Sequence, residues 1–242
     1  MPDIHPTAIV ADTVTIGEGT TVLPYTIIEG NTVIGRNCTI GPHAAIGGPP
    51  QHRNSPIDDG WVVIGDDCVL REQTTVNRAT KPGRDNATAV GDRCYLMTSV
   101  HLGHDTKLGA DITLANQVMI AGHAAIGDGT FFGGGTGIHQ YSRVGRLCMI
   151  HGNEGLSLDV PPFALVQHTC VRGPNVIGLR RNGFSSETRQ AIARAYQTLR
   201  RVPVMSKALA QLECVDVPEV REIVEFYRAS KRGVTTARRK RV

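Results

Sequence analysis

Read from Ile4 in steps of six, the chain is aliphatic at every position through Ile46: Ile4, Val10, Ile16, Val22, Ile28, Ile34, Ile40 and Ile46. The phase returns at Ile64, Leu70 and Val76. It then runs from Val90 through Leu96, Leu102, Leu108, Leu114, Ile120, Ile126, Phe132, Ile138, Val144 and Ile150 to Leu156. Four residues after each aliphatic there is usually a small or β-branched residue, such as Thr20, Thr26, Thr32, Cys38, Ala44, Thr106, Ala124 and Thr130, and Gly commonly follows the aliphatic itself. A strand's period of two places aliphatics six apart for two or three steps, not for a dozen. A period of six predicts a parallel β-helix in which each hexad is one short strand plus a turn. Three hexads close one triangular coil, so residues 18 apart lie above one another. Coils are then stacked about 4.8 Å apart by strand-to-strand hydrogen bonds.

Two stretches break the period and are expected to bulge as loops, residues 47–61 and 80–88. Long loops on a rigid scaffold frequently carry function. The period stops at Asp159-Val160-Pro161-Pro162, which divides the chain into a β-helix over residues 1–162 and a second unit over 163–242. In the second unit Ser185 reads as an N-cap before apolar residues at Ala191, Ile192, Ala195, Tyr196 and Leu199, ended by Pro203. Further helices are predicted over Ser206–Leu212 and from Pro218, the latter with Val220, Ile223, Val224 and Tyr227 on one face. The tail Arg232–Val242 is basic and is expected to fray.

Composition fits a narrow prism. Of 242 residues 40% are hydrophobic, enough for a core, yet aromatics are only 5% and Gly numbers 27. No apolar run reaches the length of a membrane span. The N-terminus lacks the basic-then-apolar pattern of a signal peptide. Six scattered cysteines without zinc spacing point to reduced thiols in a cytoplasmic protein, and Cys38, Cys68, Cys94 and Cys148 all fall in the small slot of the hexad. The net charge of +4 hides opposite halves: −6 through Pro162 and +10 from Phe163 onward.

The coil arithmetic gathers polar residues at one place. His104, Gly122 and Gln140 are successive 18-residue neighbours, as are Asp105 and His123; His139 adjoins Gln140, and His101 lies on the coil of His104. Four histidines, an Asp, a Gln and a Gly thus converge within about three layers, roughly 10 Å. A neutral His can act as general base, and Gly122, bare of a side chain, leaves a backbone N–H free to stabilise an oxyanion. No Ser or Cys joins the cluster, so direct transfer to a bound acceptor fits better than a covalent intermediate. A polar ladder on a solvated face and a metal site are the competing readings.

These residues carry a resemblance. The segments His101-Leu102-Gly103-His104-Asp105, Ile120-Ala121-Gly122-His123, Gly137-Ile138-His139-Gln140, Asp159-Val160-Pro161-Pro162 and Asn175-Val176-Ile177-Gly178-Leu179-Arg180-Arg181, in this order, resemble the UDP-N-acetylglucosamine acyltransferases that begin lipid A assembly. The resemblance implies a left-handed parallel β-helix with a C-terminal helical domain, assembled as a cytoplasmic homotrimer with active sites in clefts between prisms. It implies transfer of a 3-hydroxyacyl chain from acyl carrier protein to the sugar 3-hydroxyl, with no metal or resident cofactor. The 4'-phosphopantetheine arrives on the carrier. His104 resembles the general base, Asp105 its orienting partner and Gly122 the oxyanion donor. His101, His123, His139 and Gln140 resemble acceptor and phosphate contacts, Asn175 and Arg181 nucleotide and pantetheine contacts, and Gly152 the gauge of acyl length.

Some positions depart from the family pattern. Gln51-His52-Arg53-Asn54 stands where the family usually shows Gln-Asp-Leu-Lys, Asn77-Arg78 where a His often precedes the Arg, Ile177 for a usual Glu and Asn182 for a usual Arg. The acceptor therefore stays open between UDP-N-acetylglucosamine and a related UDP-sugar presenting an amine. A γ-type carbonic anhydrase shares the prism, but its ligands include two His five residues apart, a spacing absent from this cluster. The basic C-terminal unit suits an acidic carrier protein. Nucleic acid is disfavoured, since no recognition motif accompanies the charge.

Overall fold

The computed structural model describes residues 1–54 and 59–236. Each hexad gives a strand of two to five residues, and the strands line up into three sheets of ten, eight and seven strands. The first sheet runs from Asp3–Ile4 to Cys170–Pro174, the second from Ile9–Val10 to Gly155–Leu156, and the third from Thr15–Ile16 to Arg143–Val144. Neighbours pair in parallel at the predicted offset, as in Ile4↔Val22, Leu102↔Ile120 and Ile120↔Ile138. Where a loop intervenes the offset grows, to Thr39↔Val69 and Thr75↔His101. The architecture is a left-handed parallel β-helix followed by helices.

The interior is filled as the period dictates. Ile28, Ile40, Ile46, Leu70, Leu96, Leu102, Leu114, Ile120 and Ile150 are fully buried, and Phe132 shows that the prism does admit one ring. The small slot is selected by more than size. Thr26 donates its hydroxyl to Gly41 O, Thr130 to Gly145 O and Thr136 to His151 O. The thiols of Cys38, Cys68, Cys94 and Cys148 donate in the same sense to Gly65, Gly91, Gly109 and Pro161. A buried carbonyl at each corner needs a donor, which is why Thr and Cys recur there.

Most corners also hold one residue in the left-handed region, usually not Gly: Asn37, His43, Arg93, Asp105, Asp111, His123, Tyr141 and Asn153 have φ between 54° and 62°. That conformation costs on the order of 1 kcal/mol for a residue with a Cβ. It is held by inter-coil bonds such as His123 N–H to His104 O (2.9 Å) and Tyr141 N–H to Gly122 O (3.1 Å).

The two loops meet each other. Gly60 bridges Pro82, and Ala79 N–H donates to Trp61 O. Residues 55–58 lie outside the described residues. Gly47–Gly48, Trp61 and Thr88, expected in the loops, instead extend the adjoining strands.

The first sheet does not stop at Pro161-Pro162: Ala164–Gln167 pairs in parallel with Met149–Ile150, and Cys170–Pro174 closes it antiparallel. Four helices follow, α1 (Val176–Arg181), α2 (Ser186–Arg201), α3 (Met205–Glu213) and α4 (Pro218–Arg228). The Ser185 hydroxyl caps α2 by accepting from Thr188 N–H. The predicted faces are the buried ones: Ala191, Ile192, Ala195 and Tyr196 on α2, and Val220, Ile223 and Val224 on α4. The Tyr196 hydroxyl donates to Pro162 O, docking α2 on the prism end. Unlike the frayed tail expected, Arg232–Thr236 is bonded back to the prism: Thr235 N–H donates to Asp159 O (2.7 Å) and Asp159 N–H to Gly233 O (3.0 Å). The expectation for residues 237–242 lies outside the described residues.

Candidate active site

The coil register brings the histidines together as the spacing requires. His104 is 3% exposed, and its Nδ1 lies 2.7 Å from Asp105 Oδ2. A carboxylate only accepts, so Nδ1 carries a proton, and in the neutral ring Nε2 is the nitrogen with the lone pair. That Nε2 is buried without a hydrogen-bond partner among the described residues. Its ring forms part of the wall of an open groove of about 410 Å³ that also includes His101, Gly122, His139 and Gln140. An unpaired buried lone pair beside a groove is costly unless a ligand completes it.

Asp105 is braced by the second loop. Its Oδ2 accepts from the Thr80 hydroxyl (2.9 Å), its carboxylate from Thr80 N–H (3.2 Å), and its own N–H donates to the Thr88 hydroxyl (2.8 Å). Burial pushes the Asp105 carboxyl up, but the hydrogen bonds from His104 and Thr80 outweigh it and hold the group below the usual carboxylate range. It therefore stays ionised and fixes the His104 tautomer.

Gly122 sits directly under the imidazole. A Cβ there would fall 2.6 Å from His104 Cε1 and 2.7 Å from Nε2. Its N–H has no acceptor among the described residues, for a reason visible at other corners. At the equivalent turn position, Arg36, Asp66 and Ala110 N–H each donate to an Asp Oδ1 on the next coil, from Asp66, Asp92 and Asp128. The residue one coil further along the chain from Gly122 is Gln140, which makes no such bond. The Gly122 N–H is thus left without an acceptor among the described residues, on a residue that lines the groove against the His104 ring.

Around this pair, His123 stacks on Tyr141 (ring centroids 4.5 Å apart, 5° between planes) and meets the His104 ring edge-on at 5.0 Å. Its Nε2 is 3.5 Å from Asp105 Oδ2. Burial and the nearby His104 draw the His123 imidazole below its ordinary value against the pull of Asp105. His101 is lowered by burial and then by His104, and its Nδ1 contacts the Thr75 hydroxyl at 2.8 Å. His104, Asp105 and His123 offer atoms within 4.8 Å of one another that a cation could bridge. Such a cation would displace the His104 and Thr80 hydrogen bonds that already occupy the Asp105 carboxylate.

Seven of the sequence-predicted residues therefore share one site: His101, His104, Gly122, His139 and Gln140 on the groove, Asp105 behind it and His123 against His104. Three are elsewhere on the chain. Asn175 caps α1, accepting from Gly178 N–H and donating to Leu147 O. Arg181 is exposed on α1, and Gly152 lines a separate groove with His151, Glu154 and His168. Sequence reasoning missed Thr80 and Thr88, because the 80–88 loop shifts the register past the 18-residue rule. It also passed over Tyr141, although Tyr141 lies 18 residues after His123 and the rule would have found it. The first loop contributes Gln51 to the groove, and His52 approaches the His104 ring edge-on at 5.8 Å.

The chain is similar to known proteins along most of its length. The family described as "Udp N-acetylglucosamine O-acyltransferase; Domain 2" matches residues 159–235, and that of six bacterial transferase hexapeptide repeats matches residues 4–48. An acyl-[acyl-carrier-protein]–UDP-N-acetylglucosamine O-acyltransferase of Sinorhizobium fredii is 33% identical over 98% of this chain and 96% of its own length. One of Campylobacter concisus is 32% identical over 96% and 87% respectively. Among solved structures, the UDP-N-acetylglucosamine acyltransferase of Campylobacter jejuni superposes with a TM-score of 0.86 at 30% identity, covering 98% of this chain and all of that one. That of Bacteroides fragilis gives 0.88 at 31%, covering 95% and 98%.

Proposed function

This chain belongs to the UDP-N-acetylglucosamine O-acyltransferase family, and from that premise we propose how its own residues perform the transfer. The protein moves an acyl chain from acyl carrier protein to UDP-N-acetylglucosamine. The observation that carries the mechanism is the unpaired His104 Nε2 on the groove beside the free Gly122 N–H. His104 takes the proton of the sugar 3-hydroxyl, and the oxygen attacks the thioester carbonyl. The Gly122 N–H stabilises the tetrahedral oxyanion. Collapse breaks the carbon–sulfur bond, and the His104 imidazolium returns the proton to the departing thiolate. Asp105, ionised and held by Thr80, keeps Nδ1 protonated and steadies the imidazolium.

The donor is a 3-hydroxyacyl chain, and the assembly is a cytoplasmic homotrimer that uses no metal. The trimer is supported by the openness of the groove on a single chain and by the positions of Asn175, Arg181 and Gly152 away from it, which a neighbouring copy would complete. No described helix is long and apolar enough to cross a membrane. The C-terminal unit, +10 in charge, suits electrostatic steering of an acidic carrier.

His104→Ala should abolish acyl transfer while leaving assembly and thermal midpoint unchanged; retained turnover would remove His104 from the mechanism. A second acceptor is favoured by one observation: the family's acidic loop residue is replaced by His52, which faces the His104 ring. Offering UDP-N-acetylglucosamine and its 3-amino analogue in parallel decides between them, preferential turnover of the amine assigning N-acylation.

A further inference from the structure

The tail that returns to the prism delivers a cation to the groove. After α4 the chain reverses at Gly233 (φ 86°), and Val234 forms a β-bridge to Asp159. Asp159 is a rigid anchor. It is 1% exposed, and its carboxylate accepts from Arg143 N–H (2.8 Å), Nε (3.1 Å) and Nη2 (3.0 Å) while its backbone holds the tail. This fixes Arg232 at the groove rim. Its Nε donates to Ser157 O (3.1 Å) and its Nη2 lies 3.1 Å from His139 Nδ1, two residues that line the groove. Among the described residues Arg232 has no carboxylate partner, and the groove lining contains no Asp or Glu.

The contact with His139 decides a proton. His139 Nδ1 lies 3.1 Å from Arg232 Nη2 and 3.1 Å from Gln140 O, and the two bonds exclude each other. A guanidinium only donates, so bonding to Arg232 makes Nδ1 the acceptor and places the proton on Nε2. Bonding to Gln140 O would protonate Nδ1 and leave Nε2 with a lone pair that repels an anion. Arg232 therefore supplies positive charge and also turns His139 into a donor.

We propose that Arg232, held at the rim by the folded-back C-terminal segment, is a binding residue that with His139 forms the subsite for the diphosphate of the nucleotide-sugar acceptor. The subsite rests on the acceptor class assigned above. A planar guanidinium matches phosphate oxygens bidentately, and the rim position places the charge beside the site of chemistry and not on it.

The test compares uridine diphosphate with uridine, two probes differing only in the phosphates, by calorimetric titration of the full-length assembly. Arg232→Ala and Arg232→Gln should weaken uridine diphosphate about tenfold, the scale of one charge-assisted contact at a partly exposed site, and leave uridine unchanged. KM for the acceptor should rise by the same factor with kcat within about threefold, and Arg232→Lys should recover part of the loss. Lys231→Ala, on the exposed neighbour, should do nothing. Equal weakening of both probes would reduce Arg232 to a structural tie and overturn the proposal, as would unchanged uridine diphosphate binding in Arg232→Ala. Wild-type protein that transfers no acyl chain would sink the functional reading. The two-probe difference reads the subsite independently of turnover.

Discussion

Gly122→Ala isolates the catalytic pair from the fold. The Gly122 backbone is outside the left-handed region, so an Ala can adopt it without strain. The atoms nearest the new methyl belong to the His104 ring, Cε1 at 2.6 Å and Nε2 at 2.7 Å. Ordinary contact begins at about 3.4 Å, so the imidazole must retreat by about 0.8 Å. It cannot do so freely, because Nδ1 is held at 2.7 Å by Asp105, which Thr80 in turn braces. A misplacement near 1 Å at a reacting group costs on the order of 10²-fold in rate. Partial screening of the Gly122 N–H from the oxyanion acts in the same direction, with loss of such a donor costing about 10²–10³-fold. The expected result is a fall in kcat of about 10²–10³-fold at nearly unchanged KM for UDP-N-acetylglucosamine. The assay is thiol release from acyl carrier protein, with the thermal midpoint within a few degrees of wild type. Turnover within threefold of wild type would refute the placement of the reaction at this pair. A large drop in midpoint would refute the claim that the backbone tolerates Ala.

Two further expectations concern the supports of the site. Thr80→Val removes a hydroxyl from Asp105 and should lower kcat about tenfold, the worth of one hydrogen bond to a charged group, with KM unchanged; full activity would show that the second loop is not a brace. Folding should weaken as pH falls through about 6.5, because His101 and His123 are held below that value in the fold and the unfolded chain then binds more protons. The double variant His101→Asn, His123→Asn should flatten the midpoint's dependence between pH 7 and pH 5.5, and an unaltered slope would remove these two groups as its source. Asp105, held low, adds stability that persists until the pH drops through the carboxylate range.

The prism was legible because its rule is local and repeated. One aliphatic every six residues fixes the three sheets, and the 18-residue turn alone brings His104 over Gly122 and Asp105 beside His123. What escaped is what the rule does not reach. Thr80 contacts Asp105 across a loop insertion that changes the offset. The short helix α1, six residues long, is too brief to repeat an amphipathic pattern, and its cap Asn175 is tied to the backbone at Gly178 and Leu147. On sequence alone the tail is expected to fray, because a single β-bridge to Asp159 leaves no periodic trace there. Arg232 reaches His139 across more than ninety residues of chain, a distance no spacing rule spans.

The unequal ends of the stack have a consequence for solubility. A parallel pile of identical short strands is a template for its own extension, and its terminal strands present unpaired N–H and C=O groups to any similar chain. At the N-terminal end each sheet begins with a bare two-residue strand, Asp3–Ile4, Ile9–Val10 or Thr15–Ile16. At the other end the antiparallel strand Cys170–Pro174, the helices and the returning tail cover the pile. With one end always blocked, head-to-tail addition cannot propagate, and a fibre has no way to grow. Truncating the C-terminal unit would uncover the second edge and turn the scaffold into a polymerising one.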